Sequence, residues 1–144
     1  EITGTEEDRL KQKVKDLGLS EKIIFTGFVK NVGDYLNILD VQVNCSFGTE
    51  TSCLSILEGM SIGVPSVVSN YGGNPYLIQD GENGFLIKNR NFGGMIQKME
   101  KLIQDSSLRE KMGKVARKSV QKYTSDIVGE KWFDLIEKSG NNER

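Results

Sequence analysis

Residues 48–75 read GTETSCLSILEGMSIGVPSVVSNYGGNP, and their order dictates loop, helix, strand and loop in turn. The polar SFGTET segment leads into an apolar helix over residues 53–62, which Gly63 and Pro65 end. SVVS at 66–69 is a short β-branched run and forms a strand, after which the glycine loop NYGGNP opens a short helix. Loop, helix, strand and loop in so few residues is the grammar of a parallel sheet, whose strands need a crossover between them.

The same alternation runs outward in both directions. Downstream, the turn DGENG precedes a strand GFLI at 84–87, and helical patterns follow over 91–104, 107–123 and 125–138, with 139–144 a frayed tail. Upstream lie a strand over 41–45, a short helix over 32–39 and a strand KIIFT over 22–26. Before them comes a helix that Thr5 caps with Asp8 in the reciprocal position; Leu10, Val14 and Leu17 recur along it and Gly18 stops it. Residues 1–3 read as the tail of a strand. The expected fold is therefore α/β, a Rossmann-like parallel sheet with helices on both faces, in one domain over 1–138. Ligands should meet the carboxyl ends of its strands.

With 144 residues the chain can bury about two thirds of its unfolded surface in a single core. Its 19 basic and 20 acidic residues leave a formal charge of −1, so no global field draws it to nucleic acid or anionic lipid. Cys45 and Cys53 lack metal-ligand spacing and the chain has no histidine, which excludes a zinc site and points to free thiols in a reducing compartment. EITGTEEDRL is not a targeting signal, and no apolar run reaches the roughly 18 residues of a membrane span, so a cytoplasmic protein is expected.

Between Glu50 and Asp80 the only charged residue is Glu58, within LSILEGMSIG. A carboxylate buried on such a helix costs several kcal/mol unless hydrogen bonds reach it, so it either points to solvent or meets a donor such as a ribose diol. Where residues 51–55 enter the helix, unpaired backbone N–H groups and the helix dipole make an anion site. A nucleoside diphosphate laid there puts a phosphate on the amides, its ribose near Glu58 and its sugar toward Glu50. The bland alternatives are an ordinary loop acid for Glu50 and a solvated helix face for Glu58.

In this order and spacing, the two glutamates with seven residues between them, the G-x-P before a strand, the G-G-x-P loop, DGENGFLI and the upstream KIIFTGFV carry a resemblance. They resemble the donor-binding segment of the family 4 glycosyltransferases, which have the GT-B fold, over nearly the whole chain. The resemblance implies retaining transfer of a sugar from a UDP- or GDP-linked donor to a glycan or lipid-linked acceptor, with no metal and no other cofactor. By position, Glu50 would stabilise charge at the sugar as the catalytic residue, and Glu58 would hold the ribose. The amides of Thr51, Ser52 and Cys53 would meet sugar hydroxyls and those of Leu54 and Ser55 the pyrophosphate, while Phe28, Val29 and Lys30 would meet the base. Gly72 and Gly73 read equally as a ligand contact or as a turn that needs positive φ.

Family members often carry glycine and an aromatic after the first glutamate, where this chain has Thr51, Ser52 and Cys53, and an acid where Tyr76 stands. The family's first strand and helix, with a basic pair that grips the diphosphate, are expected upstream of Glu1, as is an N-terminal acceptor domain to which any peripheral membrane association would fall. The isolated chain is accordingly expected not to catalyse transfer. A separate nucleotide-sugar-binding subunit that needs a partner, and a sugar-nucleotide epimerase of the same fold, are the alternatives.

Overall fold

The computed structural model describes residues 5–48, 51 and 53–141. The chain forms two compact units, Glu1–Val32 and Gly33–Arg144; the strand tail expected at 1–3 lies outside the described residues.

In the first unit, helix α1 spans Glu6–Asp16. Thr5 and Asp8 close the expected capping box: the Asp8 N–H donates to Thr5 Oγ1 at 3.3 Å, and the Thr5 N–H donates to the Asp8 carboxylate at 2.9 Å. Gly18, at φ +66°, turns the chain out of the helix as expected. The strand expected at KIIFT does not form. Residues 23–27 have no regular structure, and Ile24 is largely exposed. The β-branched residues Ile23, Ile24 and Thr26 supply propensity, but a strand exists only through a hydrogen-bonded neighbour, and none of the described residues pairs with this segment.

The second unit opens with the short helix α2, Val32–Leu36, at its boundary, and is built on three parallel strands, β1 (Gln42–Asn44), β2 (Ser66–Ser69) and β3 (Gly84–Ile87), in that spatial order. Val43, Val67 and Phe85 lie in one row across the sheet. β2 and β3 occupy the residues expected; β1 is shorter than the expected 41–45 because only Gln42, Val43 and Asn44 find ladder partners on β2. Helix α3 (Leu54–Ser61) connects β1 to β2, and the one-turn helix α4 (Asn74–Leu77) connects β2 to β3.

Side chains alternate across β2, so Val67 and Val68 enter different cores. Val68 packs with Cys53, Ile56 and Met60 of the α3 segment, and with Ile78, Ala116 and Val120. Val67 packs with Phe85, Ile87, Leu102 and Met112 on the other side. Leu102 belongs to α5 (Phe92–Gln104), while α6 (Ser106–Ser119) supplies Met112 to one core and Ala116 to the other. Helices thus cover both faces of the sheet, as expected of a Rossmann-like fold.

The corner between α5 and α6 is held by polar groups. Asp105 caps α6 by accepting from the Leu108 N–H at 2.9 Å, and the Arg109 guanidinium donates to the Leu102 and Ile103 carbonyls at 2.7 and 2.8 Å. The turn DGENG is fastened by Asn83, fully buried, whose Oδ1 accepts from the Gln79 N–H at 2.7 Å while its Nδ2 donates to the Leu77 carbonyl and to Ser119 Oγ, both at 3.0 Å.

The helix expected over 107–123 is broken: α6 stops at Ser119 and a separate 3-10 turn covers Gln121–Tyr123. Helix α7 runs over Ser125–Asn141, past the expected end at 138. Trp132, Phe133, Leu135 and Ile136 are all exposed, and among the described residues nothing covers that face of α7. Cys45 is exposed just after β1 and Cys53 is buried; both are free thiols.

Candidate functional site

The carboxyl end of the sheet is where the chain leaves β1 for α3, β2 for α4 and β3 for α5. The loop after β1 is anchored at both ends by Asn44. Its Oδ1 accepts from the Ser46 N–H at 3.0 Å, and its Nδ2 donates to Cys53 Sγ at 3.0 Å, so one side chain fixes where the loop starts and where α3 begins. Between these points Ser69 Oγ donates to the Ser46 carbonyl at 2.6 Å, Tyr71 Oη donates to the Gly48 carbonyl at 2.7 Å, and the Arg90 guanidinium lies 4.8 Å from the centre of the Phe47 ring.

Among the described residues, no side chain caps the start of helix α3. Thr5, Asn91 and Asp105 each cap their helices through an oxygen that accepts from a first-turn N–H. At the corresponding place α3 has Cys53, whose sulfur is turned to Asn44 and stands 3.5 Å from Ser55 Oγ. The Ile56 and Leu57 N–H groups bond to the Cys53 carbonyl at 3.0 and 3.1 Å. The Leu54 and Ser55 amides, one turn earlier, belong to the orphan donors of a helix start, and both residues are exposed. Together with the dipole they favour an anion.

Glu58 stands one turn further on the same exposed side as Leu54. Its side chain meets solvent, so of the two placements open to it the structure has the solvated one, and no burial penalty needs offsetting. Among the described residues it forms no ion pair. With Leu54 and Ser61 it borders a groove of about 470 Å³ whose opposite wall holds Arg117, Gln121 and Tyr123. The buried side of α3 explains the helix's fit: Gly59 presses on Gln42, whose side-chain amide donates to the Ile56 carbonyl at 3.1 Å and to Ser66 Oγ at 2.8 Å.

The structure brings together Cys53, Leu54, Ser55 and Glu58 on α3 and its cap, with exposed Thr51 just before. Glu50 and Ser52 lie outside the described residues. Gly72 has φ +57° and Gly73 is the N-cap of α4, so the turn that needs positive φ is present. Phe28, Val29 and Lys30 belong to the first unit; Phe28 is 93% exposed and does not fill a core. The inter-loop contacts of Tyr71, Ser69 and Arg90 were not foreseen. Only Asn44 had a local sign, an asparagine followed two residues on by a free N–H at a strand end. No helix among the described residues is long and apolar enough to cross a membrane. Nor does any group of three or more His, Cys, Asp or Glu gather among them as a metal site.

The family profile described as glycosyl transferases group 1 matches residues 2–119. N-acetyl-alpha-D-glucosaminyl L-malate synthase of Bacillus anthracis is 33% identical over 117 residues, covering 81% of this chain and 30% of that protein. The C-terminal domain of a glycosyl transferase group 1 family protein, LpcC of Francisella tularensis, is 32% identical with TM-score 0.73, covering 83% of this chain and 63% of that one. Anabaena Alr3699/HepE, solved in complex with UDP, superposes with TM-score 0.87 at 22% identity, over 92% of this chain and 36% of that one, a likeness of fold. The chain spans about a third of the length of the curated relatives it matches.

Proposed function

Because the chain belongs to the glycosyl transferases group 1 family, with the fold of a GT-B C-terminal domain, we propose that it is the donor-binding part of a retaining, metal-independent, family 4 glycosyltransferase. It takes a UDP- or GDP-linked sugar and passes it to a glycan or lipid-linked acceptor in the cytoplasm. The observation that carries the reading is the start of α3: an eight-residue helix at the carboxyl end of a parallel sheet, uncapped by any side chain among the described residues, with Glu58 one turn further on.

The difficult part of the reaction is the departing nucleoside diphosphate. Leu54 and Ser55 offer it two backbone N–H groups in fixed directions, which stabilise charge without reorganising as it develops. Glu58 accepts hydrogen bonds from the ribose hydroxyls, and its exposed position leaves room for them. Glu50 addresses the sugar. Helix amides take the role a divalent ion has in other transferases.

The acceptor site, and the basic residues that grip the diphosphate, belong to an N-terminal portion of the whole protein; the chain's coverage of its relatives, 34% and 30% of their lengths, is consistent with this. The isolated chain then does not complete transfer. Calorimetric titration of the full-length protein with UDP, GDP and ADP tests the proposal. One nucleoside diphosphate should bind, with Leu54→Pro, which removes an amide at the helix start, weakening it at least tenfold. Equal binding by parent and variant would remove the α3 amides from the site.

A further inference from the structure

Three consecutive residues after β1 are each held by a different side chain from a neighbouring loop. Ser46 is held through its carbonyl by Ser69 Oγ at 2.6 Å, Phe47 by the Arg90 guanidinium at 4.8 Å, and Gly48 through its carbonyl by Tyr71 Oη at 2.7 Å. Ser69 ends β2, Tyr71 lies in the loop that follows it, and Arg90 follows β3. Gly48 has φ +131°, which glycine tolerates, and among the described residues Arg90 is the non-glycine residue with positive φ, +62°. A residue kept in the left-handed region needs its surroundings to hold it there, and such residues concentrate where a position matters.

Resting on the donor-site reading above, we propose that Tyr71 and Arg90 are positioning residues that clamp residues 46–48, the described part of the loop to which Glu50 belongs in sequence. Neither needs to touch the donor. The Tyr71 hydroxyl and the Gly48 carbonyl are near solvent, where water would replace their bond at little cost to stability. What water does not replace is the fixed position of the Gly48 carbonyl. Asn74 supports the same arrangement from beneath: fully buried, it donates to the Ser69 carbonyl at 3.0 Å and stands 3.4 Å from Ser69 Oγ.

The clamp bears on the sugar, whereas Glu58 and the α3 amides bear on the nucleotide, so the two are separable. Tyr71→Phe removes one oxygen, and Arg90→Gly removes the cation while keeping a backbone that accepts positive φ. In the full-length protein, with UDP-glucose, UDP-N-acetylglucosamine and GDP-mannose as donors, Tyr71→Phe should lower kcat about 5- to 10-fold, with donor KM within about twofold and an unchanged unfolding midpoint. Combined with Glu50→Gln the loss should be less than multiplicative, since both act through one carboxylate. Amide hydrogen exchange in residues 45–48 should accelerate in Tyr71→Phe and in Arg90→Gly, whichever donor is used. Unchanged exchange would overturn the clamp, as would unchanged kcat or a full multiplicative loss with Glu50→Gln. Glu58→Ala separates this from the reading it rests on: if UDP affinity survives that change the donor site is wrong, and if it falls while Tyr71→Phe is silent only the clamp is wrong.

Discussion

Replacing Gly113 by alanine should destabilise the second unit, although it improves the helix in which Gly113 sits. Gly113 is buried in α6, and a Cβ there would come 2.1 Å from the carbonyl oxygen of Gly63, in the turn between α3 and β2. Ordinary contact begins near 3.4 Å, so α6 or the turn must yield by 3.4 − 2.1 = 1.3 Å. The turn has little freedom, because Gly63 is at φ +90° and Pro65 follows. Moving α6 instead lifts Met112 and Ala116, 1% and 0% exposed, away from both cores. Overpacking of this kind costs about 1–3 kcal/mol, here near the upper end because backbone meets backbone. Alanine's better helix propensity returns about 1 kcal/mol. The net loss is about 2 kcal/mol, or about 6–12 °C in midpoint for a unit of this size. The control is Gly129→Ala in α7, where a Cβ meets nothing within 4 Å and the same substitution should stabilise that helix by up to about 1 kcal/mol. Urea and thermal unfolding followed by circular dichroism measure both. A Gly113→Ala protein as stable as its parent would refute the close approach of α6 to the turn.

Asn83→Ala strands the buried partners of its side chain and should cost about 3 kcal/mol in urea unfolding, at about 1–3 kcal/mol per unsatisfied group; a loss below about 1 kcal/mol would deny its role in fastening the turn. At the start of α1 the Thr5 hydroxyl, and then the Thr5 N–H, hold the Asp8 carboxyl below its ordinary value of 3.8. A carboxyl depressed on folding adds stability above that ordinary value, which is lost as pH falls through the lowered one. Amide exchange at residues 5–8 should therefore stay slow from neutral pH to 3.8, after allowance for intrinsic rates, and lose protection only below it; loss of protection at higher pH would contradict the capping box.

Much of the fold was readable because its signals are local. SVVS and GFLI became β2 and β3, Gly63 and Pro65 ended α3, and Thr5 with Asp8 closed the box at α1. KIIFT failed for a physical reason: pairing is a property of two segments, and one alone cannot reveal whether its neighbour is present. The exposed Trp132 and Phe133 show the same limit, since periodicity indicates an apolar face but not what lies against it. At the site, the start of α3 lies where the sequence put it, and of the two placements open to Glu58, solvated or buried against a donor, the structure has the solvated one. The contact of Tyr71 with Gly48 joins residues 23 apart through a single hydroxyl and leaves no periodic trace in the sequence.

Donor binding through Glu58 is tested most directly by a cycle of UDP and 2′-deoxy-UDP on the full-length parent and on Glu58→Ala, measured by calorimetry. A hydrogen bond to a carboxylate contributes about 1.5–3 kcal/mol, so the parent should bind UDP roughly 10- to 100-fold more tightly than Glu58→Ala does. The parent should also lose affinity when the 2′-hydroxyl is removed, and the variant should not distinguish the two nucleotides. If Glu58→Ala binds UDP as tightly as the parent, or discriminates against the deoxy form as strongly, Glu58 does not hold the ribose.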